Sequence, residues 1–413
     1  MKPLRVLTFT SLFPSAVRPR HGIFVETRLR QILAQGECEA RVIAPVPWFP
    51  WRSSRFGAYA VFAATPRVER RGPVDVSYPR YLMLPKVGVA FQPQSMTFAA
   101  WRDVCALAHA GWRPDVIDAH YLYPDGVAAA ALARRLRVPY VLTARGTDVN
   151  VLARDPMAGP RILKAVREAA AVVVVSPALR DVLIDLGADK DSIHVLRNGV
   201  DRTVFHPAGR NEAKAALGFD ERPLVLNVGN MLPEKGQALA LQAVARLSEW
   251  QLAIVGDGPL ATELSAQAAE LGLDKRVRFV PVQAQDRLRQ FYSAADVLVS
   301  SSQREGWPNV VLEAMACGTP VVATDVGAVR EMITHDWCGS VVPQPDAVSL
   351  AQALQAVYER RPDPMALVAH ARTYDWDSVA RQHLALLAGA ARGAGPAPAA
   401  GATPQPARQQ EAP

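Results

Sequence analysis

Glu305 and Glu313 stand eight positions apart in the run S-S-Q-R-E-G-W-P-N-V-V-L-E-A-M-A-C-G-T-P-V-V-A-T-D. Paired carboxylates hydrolyse a glycosidic bond when they lie about 5 to 9.5 Å apart. Eight helical residues rise about 12 Å, so two separate contacts along an extended ligand fit this spacing better than a hydrolytic acid/base pair. Taken bare, the same two residues also describe a solvated loop and a helix surface. Their setting argues for the binding reading. Ala295 to Ser300 predicts a buried strand, Pro308 suits the first position of a helix, Gly318 suits the left-handed residue past its end, and Pro320 to Ala323 predicts the next strand. The E-G-W-P loop then lies at the carboxyl end of a strand and before a helix N-terminus, where open α/β sheets bind anions.

The elements that must position this loop alternate along the whole chain. Strands are predicted near 4–10, 40–44, 115–119, 139–143, 171–175 and 193–196, with helices near 23–35, 125–136, 158–169 and 177–186. The second half predicts strands near 223–228, 251–255, 277–280, 296–300, 320–323 and 339–342, and helices near 236–247, 259–271, 286–293, 309–317 and 346–359. Such alternation implies parallel sheets covered by helices. The polar segment F-H-P-A-G-R-N-E-A-K marks a boundary near 200–222, giving two similar α/β domains with a cleft between them. From Gly389 the chain turns Ala/Pro/Gly-rich without large apolar residues, which predicts a disordered tail.

The 413 residues suffice for two cores of ordinary size, and half of them are apolar with a fifth charged, a globular composition. Cys38, Cys105, Cys317 and Cys338 have neither metal-ligand nor C-x-x-C spacing, the usage of a reducing compartment. No apolar run reaches the roughly eighteen residues of a membrane span, and M-K-P-L-R-V-L-T-F-T reads as a first strand, so a cytoplasmic location is expected. The net charge of +7 is concentrated in the first half, at Arg18, Arg20, Arg28, Arg30, Arg52, Arg55, Arg67, Arg70, Arg71, Arg134, Arg135 and Arg137. W-F-P-W at 48–51 and Y-L-M-L-P at 81–85 interleave with these charges. Either this is a solvated basic surface or it attracts anionic lipid headgroups, at about 1 kcal/mol per basic residue. No nucleic-acid module accompanies it, so no nucleic-acid partner is expected.

Further motifs follow in order: N-G-V-D (Asn198 to Asp201), V-G-N-M-L-P-E-K-G (Val228 to Gly236), V-G-D-G-P (Val255 to Pro259) and E-A-M-A-C-G-T-P-V-V-A-T. Together with the E-x₇-E spacing, and over roughly residues 4 to 390, they resemble the retaining glycosyltransferases of family 4, which have the GT-B fold. The resemblance implies two Rossmann-like, doubly wound parallel-sheet domains facing a central cleft. It assigns an acceptor-binding domain to 1–205, a nucleotide-sugar-binding domain to 206–371, a helix packing back on the first domain to 372–388, and the tail to 389–413. The implied activity is a metal-independent hexosyl transfer, with a nucleoside diphosphate sugar as donor and no cofactor. The expected acceptor is a lipid-linked saccharide or oligosaccharide for cell-surface polysaccharide, met at the inner face of an anionic membrane. A nucleotide-sugar epimerase of similar fold and a catalytically silent scaffold are the alternatives.

Departure of a nucleoside diphosphate builds negative charge on phosphate and positive charge on the sugar, so the site needs fixed cations or N–H dipoles and oxygen ligands. The resemblance implies Lys235 at the diphosphate, Glu305 on the transferred sugar and Glu313 on the ribose hydroxyls. Gly306, Trp307, Pro308, Asn309 and Val310 form the adjoining donor-binding stretch, with Gly256, Asp257 and Gly258 in a turn before a helix. In the first half, Gly22 in R-H-G-I-F-V-E-T opens a helix and lets backbone approach phosphate. Two departures stand out. Arg145 in T-A-R-G-T-D occupies a place where many relatives carry histidine, and Asn230 one where many carry arginine. In both, the chain resembles the teichuronic-acid-type branch. Arg145 stays protonated and cannot be a general base, but it suits a phosphate or the transition state. His120 in D-A-H-Y-L-Y-P-D-G is either acceptor-side or a core histidine, and Asp148 is equally open. Asp189-Lys190-Asp191 has the D-x-D form of a metal site but reads as ordinary turn chemistry.

Overall fold

In the computed structural model, residues 2–53, 55, 57–83 and 88–393 are described. They form two compact units. One comprises the chain up to Val175, Leu179–Leu196 and the chain from Ala380, and the other comprises Ser176–Ala178 and Arg197–Val379.

The strands of the first unit are β1 (Leu4–Phe9), β2 (Cys38–Ile43), β3 (Val46–Pro47), β4 (Val68–Arg71), β5 (Val74–Ser77), β6 (Arg80–Tyr81), β7 (Val116–His120), β8 (Tyr140–Ala144), β9 (Ala171–Val174) and β10 (Ile193–Val195). Eight of them build one sheet in the order β10-β9-β8-β7-β1-β2-β5-β4, while β3 and β6 pair separately. All neighbours in the large sheet run parallel except the edge hairpin β4–β5. Runs such as A-V-V-V in β9 and Y-V-L-T-A in β8 are buried at every residue, as expected of strands covered on both faces.

The second unit adds β11 (Leu224–Val228), β12 (Gln251–Val255), β13 (Val277–Val280), β14 (Val297–Ser300), β15 (Val321–Thr324) and β16 (Gly339–Val342), an all-parallel sheet ordered β13-β12-β11-β14-β15-β16. Its core packs Val225, Leu252, Val297 and Val322 against Leu241 and Leu350. In both sheets the strand order reverses beside the first strand, between β1 and β7 and between β11 and β14. Loops leaving the carboxyl ends on either side of such a reversal diverge and leave a crevice.

Several boundaries move relative to the sequence pattern. The chain enters the second unit at Arg197 rather than at 206, because N-G-V-D packs there. Asn198 Nδ2 donates to Asn309 Oδ1 at 3.1 Å, and Val200 N donates to Tyr374 O. Polarity at 206–222 marks a composition change, not the change in contacts. The last helix, Trp376–Ala391, begins after 372 and continues through Gly389, which the tail was expected to open. Residues 394–413 of that expected tail lie outside the described residues, as do Leu84 and Pro85 of the Y-L-M-L-P run. The sequence pattern also misses everything between 45 and 114: the β4–β5 hairpin, the helix Ala58–Ala64 and the eighteen-residue helix Gln92–His109. Among the described residues no helix is long and apolar enough to cross a membrane.

Candidate active site

At the reversal in the second unit, β11 leads through Gly229 and Asn230 into a 3₁₀ turn, Pro233–Lys235, and then the helix Gln237–Ala245. From the other side β14 leads through Ser301 to Glu305, with Pro308 capping the helix Asn309–Ala316. Gly236 joins the two loops. It has φ 64°, and a Cβ there would lie 2.1 Å from the Ser301 carbonyl oxygen. The contact is pinned by Gln303 N donating to Glu234 O at 2.8 Å and Ser301 Oγ donating to Lys235 O at 3.2 Å.

This brings a lysine and a glutamate of the two loops together. Lys235 Nζ donates to Glu305 Oε1 at 2.7 Å, and Ser302 Oγ donates to the same oxygen at 2.7 Å. The lysine and glutamate side chains are 29 % and 13 % exposed, so the pair is shielded but reachable. An ammonium has three donors; one is engaged here, and among the described residues no hydrogen bond goes to Glu305 Oε2. A cation and an oxygen ligand therefore face the crevice together. Further along the helix, Glu313 Oε2 accepts from Tyr292 OH at 2.7 Å.

The neighbouring positions divide by what they touch. Asn230 is exposed, and its carbonyl accepts from Gln237 Nε2 at 3.1 Å. The turn Gly256, Asp257 and Gly258 lies against the loop after β11, with Met231 N donating to Asp257 O and Gly256 N to Val280 O. Gly306 is buried and Val310 half-buried. Two members of the expected donor-binding stretch have structural places of their own. Trp307 is only 6 % exposed, with its ring 5.8 Å from that of Tyr374, so it packs. Pro308 caps the helix rather than opening it, and it has no N–H to offer a ligand. Asn309 is held by Asn198. Ser302 and Tyr292, which orient the two glutamates, were not singled out by any motif.

In the first unit β7 ends in His120, and the loop after β8 carries Arg145. Arg145 Nη2 lies 2.7 Å from His120 Nδ1, and His120 Nε2 lies 3.1 Å from Asp118 Oδ2. Because a guanidinium only donates, Nδ1 accepts and Nε2 carries the proton to Asp118. His383, on the last helix, reaches the other Asp118 oxygen at 3.1 Å. His120 is 1 % exposed and both its ring nitrogens are engaged. The acceptor-side alternative for it gives way to the core one: it aims Arg145, whose guanidinium also sits 4.9 Å from the Phe24 ring centroid. Asp148 is buried and accepts from the backbone N–H groups of Leu122, Arg145 and Gly146, which fixes the same loop. Gly22 has φ 70°, and a Cβ would meet the Leu12 carbonyl oxygen at 2.1 Å, so the chain's own loop already demands glycine there. Asp189 Oδ1 accepts from Asp191 N at 3.1 Å, which makes the D-x-D string a turn cap.

Burial pushes the His120 imidazole down to about 4, against the opposing pull of Asp118. Between that value and the unfolded value near 6.5 the unfolded chain binds the proton and the folded chain does not. Stability therefore rises with pH across this window, by on the order of 3 kcal/mol for a fully buried imidazole. Burial of Asp125, which accepts from Ser11, pushes that carboxyl up to about 7 and acts with the opposite sign. The comparison must accordingly be between proteins. In urea titrations at about pH 4.5 and about pH 7, the stability gap between wild type and His120→Gln should widen at the higher pH. A gap independent of pH would mean that the imidazole is not held neutral.

Known proteins match this architecture. The sequence profile described as Glycosyl transferases group 1 matches residues 209–374, and the one described as Glycosyltransferase Family 4 matches residues 58–204. A Bacillus subtilis protein named for teichuronic acid biosynthesis, the glycosyltransferase TuaC, is 30 % identical over 358 residues, 85 % of this chain and 88 % of its own. The chain belongs to glycosyltransferase family 4. Another family relative, a D-inositol 3-phosphate glycosyltransferase of Mycolicibacterium gilvum, is 33 % identical over 63 % of each chain. Among solved structures, a sucrose-phosphate synthase from Thermosynechococcus elongatus superposes with a TM-score of 0.76 at 22 % identity, covering 93 % of this chain and 98 % of that one. Anabaena HepE in complex with UDP-glucose gives 0.70 at 19 %, covering 94 % and 100 %. At these identities the likeness establishes the fold. The two Rossmann-like units are those of a GT-B glycosyltransferase.

Proposed function

We propose that this family 4 enzyme transfers a sugar from a nucleoside diphosphate sugar with retained anomeric configuration. The acceptor in this reading is a lipid-linked saccharide of cell-surface polysaccharide, met at an anionic membrane face. The observation that carries it is the Lys235–Glu305 pair at the reversal of the second sheet, a cation and an oxygen ligand on adjoining loops. Lys235 takes the diphosphate, and the positive charge there is this ammonium rather than a metal ion. Glu305 holds the sugar hydroxyls and Glu313 the ribose. Asn230, the Gly256–Gly258 turn and the backbone of 306, 309 and 310 complete the donor side. The bond from the anomeric carbon to the β-phosphate oxygen breaks, and the acceptor oxygen bonds to that carbon on the same face. The acceptor proton passes to the leaving phosphate, so no carboxylate nucleophile is needed. Within the first unit, Arg145 is a fixed cation and Gly22 a point of close backbone approach, both suited to phosphate charge.

A donor screen by thermal shift tests the reading, starting with UDP-glucose, the ligand seen with HepE. A true donor at a hundredfold excess over its Kd stabilises the protein by about 2.7 kcal/mol, and Glu313→Ala should abolish the shift. Proton NMR of the product with a lipid-linked acceptor should show the donor's anomeric configuration. Inverted product would sink the retaining mechanism, and donor turnover without acceptor would instead favour an epimerase.

A further inference from the structure

The first unit carries a cavity of about 760 Å³ among residues that the proposed transfer does not use. That size suits a small organic ligand, for which pockets run roughly 300 to 1,000 Å³. Its walls are β2 and β5, the edge strand β4 and the helix Gln92–His109. The helix buries Met96, Thr97, Ala100 and Val104 on one side. Phe98, Trp101 and Leu107 of the same helix also line the cavity, with Phe98 81 % exposed and Val68 of the edge strand 67 % exposed. Exposed apolar side chains gathered at one cavity mark a binding site.

The charge around the mouth defines the partner. Asp75 on the wall is already neutralised by Arg70 at 3.1 Å and Arg41 at 3.7 Å, and Arg102 and Asp103 of the helix add one charge of each sign to the lining. Arg67 and Arg80 line the same cavity, and among the described residues neither they nor Arg52 pair with a carboxylate. The three are near enough for Arg67 and Arg52 to disfavour the charge on Arg80, after burial itself. Arg80 also donates to the carbonyl of Thr65, the residue that ends the helix Ala58–Ala64. That helix continues an aromatic run. Phe49 contacts Trp51 at 5.6 Å and Tyr59 at 5.1 Å, and Tyr59 contacts Phe62 at 6.1 Å. Trp48 and Trp51 are more than half exposed. No aspartate or glutamate occurs from Ala40 to Val68. Exposed Trp and Tyr beside arginines, without acids, is the composition of a headgroup-level anchor.

We propose that this cavity takes one acyl chain of an anionic phospholipid, with its phosphate on Arg52, Arg67 and Arg80 and the side chains of Trp48, Phe49, Trp51, Tyr59 and Phe62 lying in the headgroup layer. The proposal rests on the membrane reading above and gives it a site. Cosedimentation of the full chain with phosphatidylcholine vesicles, with and without phosphatidylglycerol, tests the membrane reading. Quenching of Trp101 by a phosphatidylglycerol brominated along its chain, with Trp101→Phe as control, tests the cavity. Dodecyl phosphate and inorganic phosphate serve as competitors. Anionic vesicles should recruit the protein, brominated chains should quench Trp101, and dodecyl phosphate should compete where inorganic phosphate does not. Ala106→Phe, which fills the cavity from an exposed position, should remove the quenching, and Arg67→Gln should weaken vesicle binding about fivefold. Recruitment without Trp101 quenching, or Trp101 quenching undiminished by Ala106→Phe, overturns the cavity and leaves the membrane reading standing. No recruitment overturns both. Competition by inorganic phosphate alone reduces the site to an anion patch, and quenching by an isoprenoid phosphate but not by phosphatidylglycerol overturns the choice of occupant.

Discussion

Replacing Lys235 by alanine is expected to lower kcat by about 10²- to 10³-fold, the cost of removing one preorganised donor from a developing anion. Stability should hardly change. The Lys235–Glu305 pair is partly exposed, and pairs of that kind contribute about 0–1 kcal/mol. A fall in kcat with an unchanged melting temperature would therefore separate a catalytic loss from an unfolding one. Glu305→Gln keeps the shape and the contact with Ser302 but removes the charge that parks the ammonium. In the proposed donor site its effect should fall on sugar transfer more than on binding of the bare nucleotide, whose ribose that proposal assigns to Glu313. The two side chains are in direct contact, so the double variant should lose much less than the product of the single losses. Single-turnover rates with saturating donor check this. Equal, multiplicative losses would mean that the two residues work at separate places.

What the sequence made legible was periodic or punctuated. Four strands of the second sheet, β11, β12, β13 and β16, are followed directly by glycine or proline, β15 is preceded by Pro320, and the E-x₇-E helix is bracketed by Pro308 and Gly318. Lys235 was legible by motif, although nothing local says that its ammonium meets Glu305, seventy residues later. Contacts across such distances leave no mark in a single sequence. Ser302 and Tyr292 are for that reason absent from any motif-based reading. The same holds for the Asp118–His120–Arg145 chain and its link to His383, 265 residues from Asp118. His120 looked like a rim residue because it ends a strand, yet its burial depends on what the last helix brings. The helix Gln92–His109 escaped for a different reason. Its apolar residues, many of them alanines, run around most of its circumference, and this blurs the single-stripe signal by which helices are recognised.

Gly236→Ala is expected to be strongly damaging to the second unit, because its Cβ would meet a backbone oxygen of the neighbouring loop. Gly236 and Gly272 have nearly the same backbone, φ 64° and φ 68°, but only Gly236 has a neighbour: its Cβ would lie 2.1 Å from the Ser301 carbonyl oxygen, while nothing lies within 4 Å of Gly272. Gly272→Ala therefore measures the left-handed backbone cost alone, about 1–2 kcal/mol. Any excess at Gly236 reports the forced separation of the two loops. A backbone oxygen cannot swing aside as a flexible side chain would. The 3₁₀ turn must therefore shift, taking with it the Gln303–Glu234 and Ser301–Lys235 hydrogen bonds and the alignment of Lys235 on Glu305. We expect Gly236→Ala to lose at least about 2 kcal/mol more than Gly272→Ala, in the range of large strain effects, and to bind donor at least about tenfold more weakly. Urea titration and donor thermal shift on the two variants measure both quantities. Equal losses at the two glycines would show that the loops are free to separate, and the crevice would then be assembled by the ligand rather than by the chain.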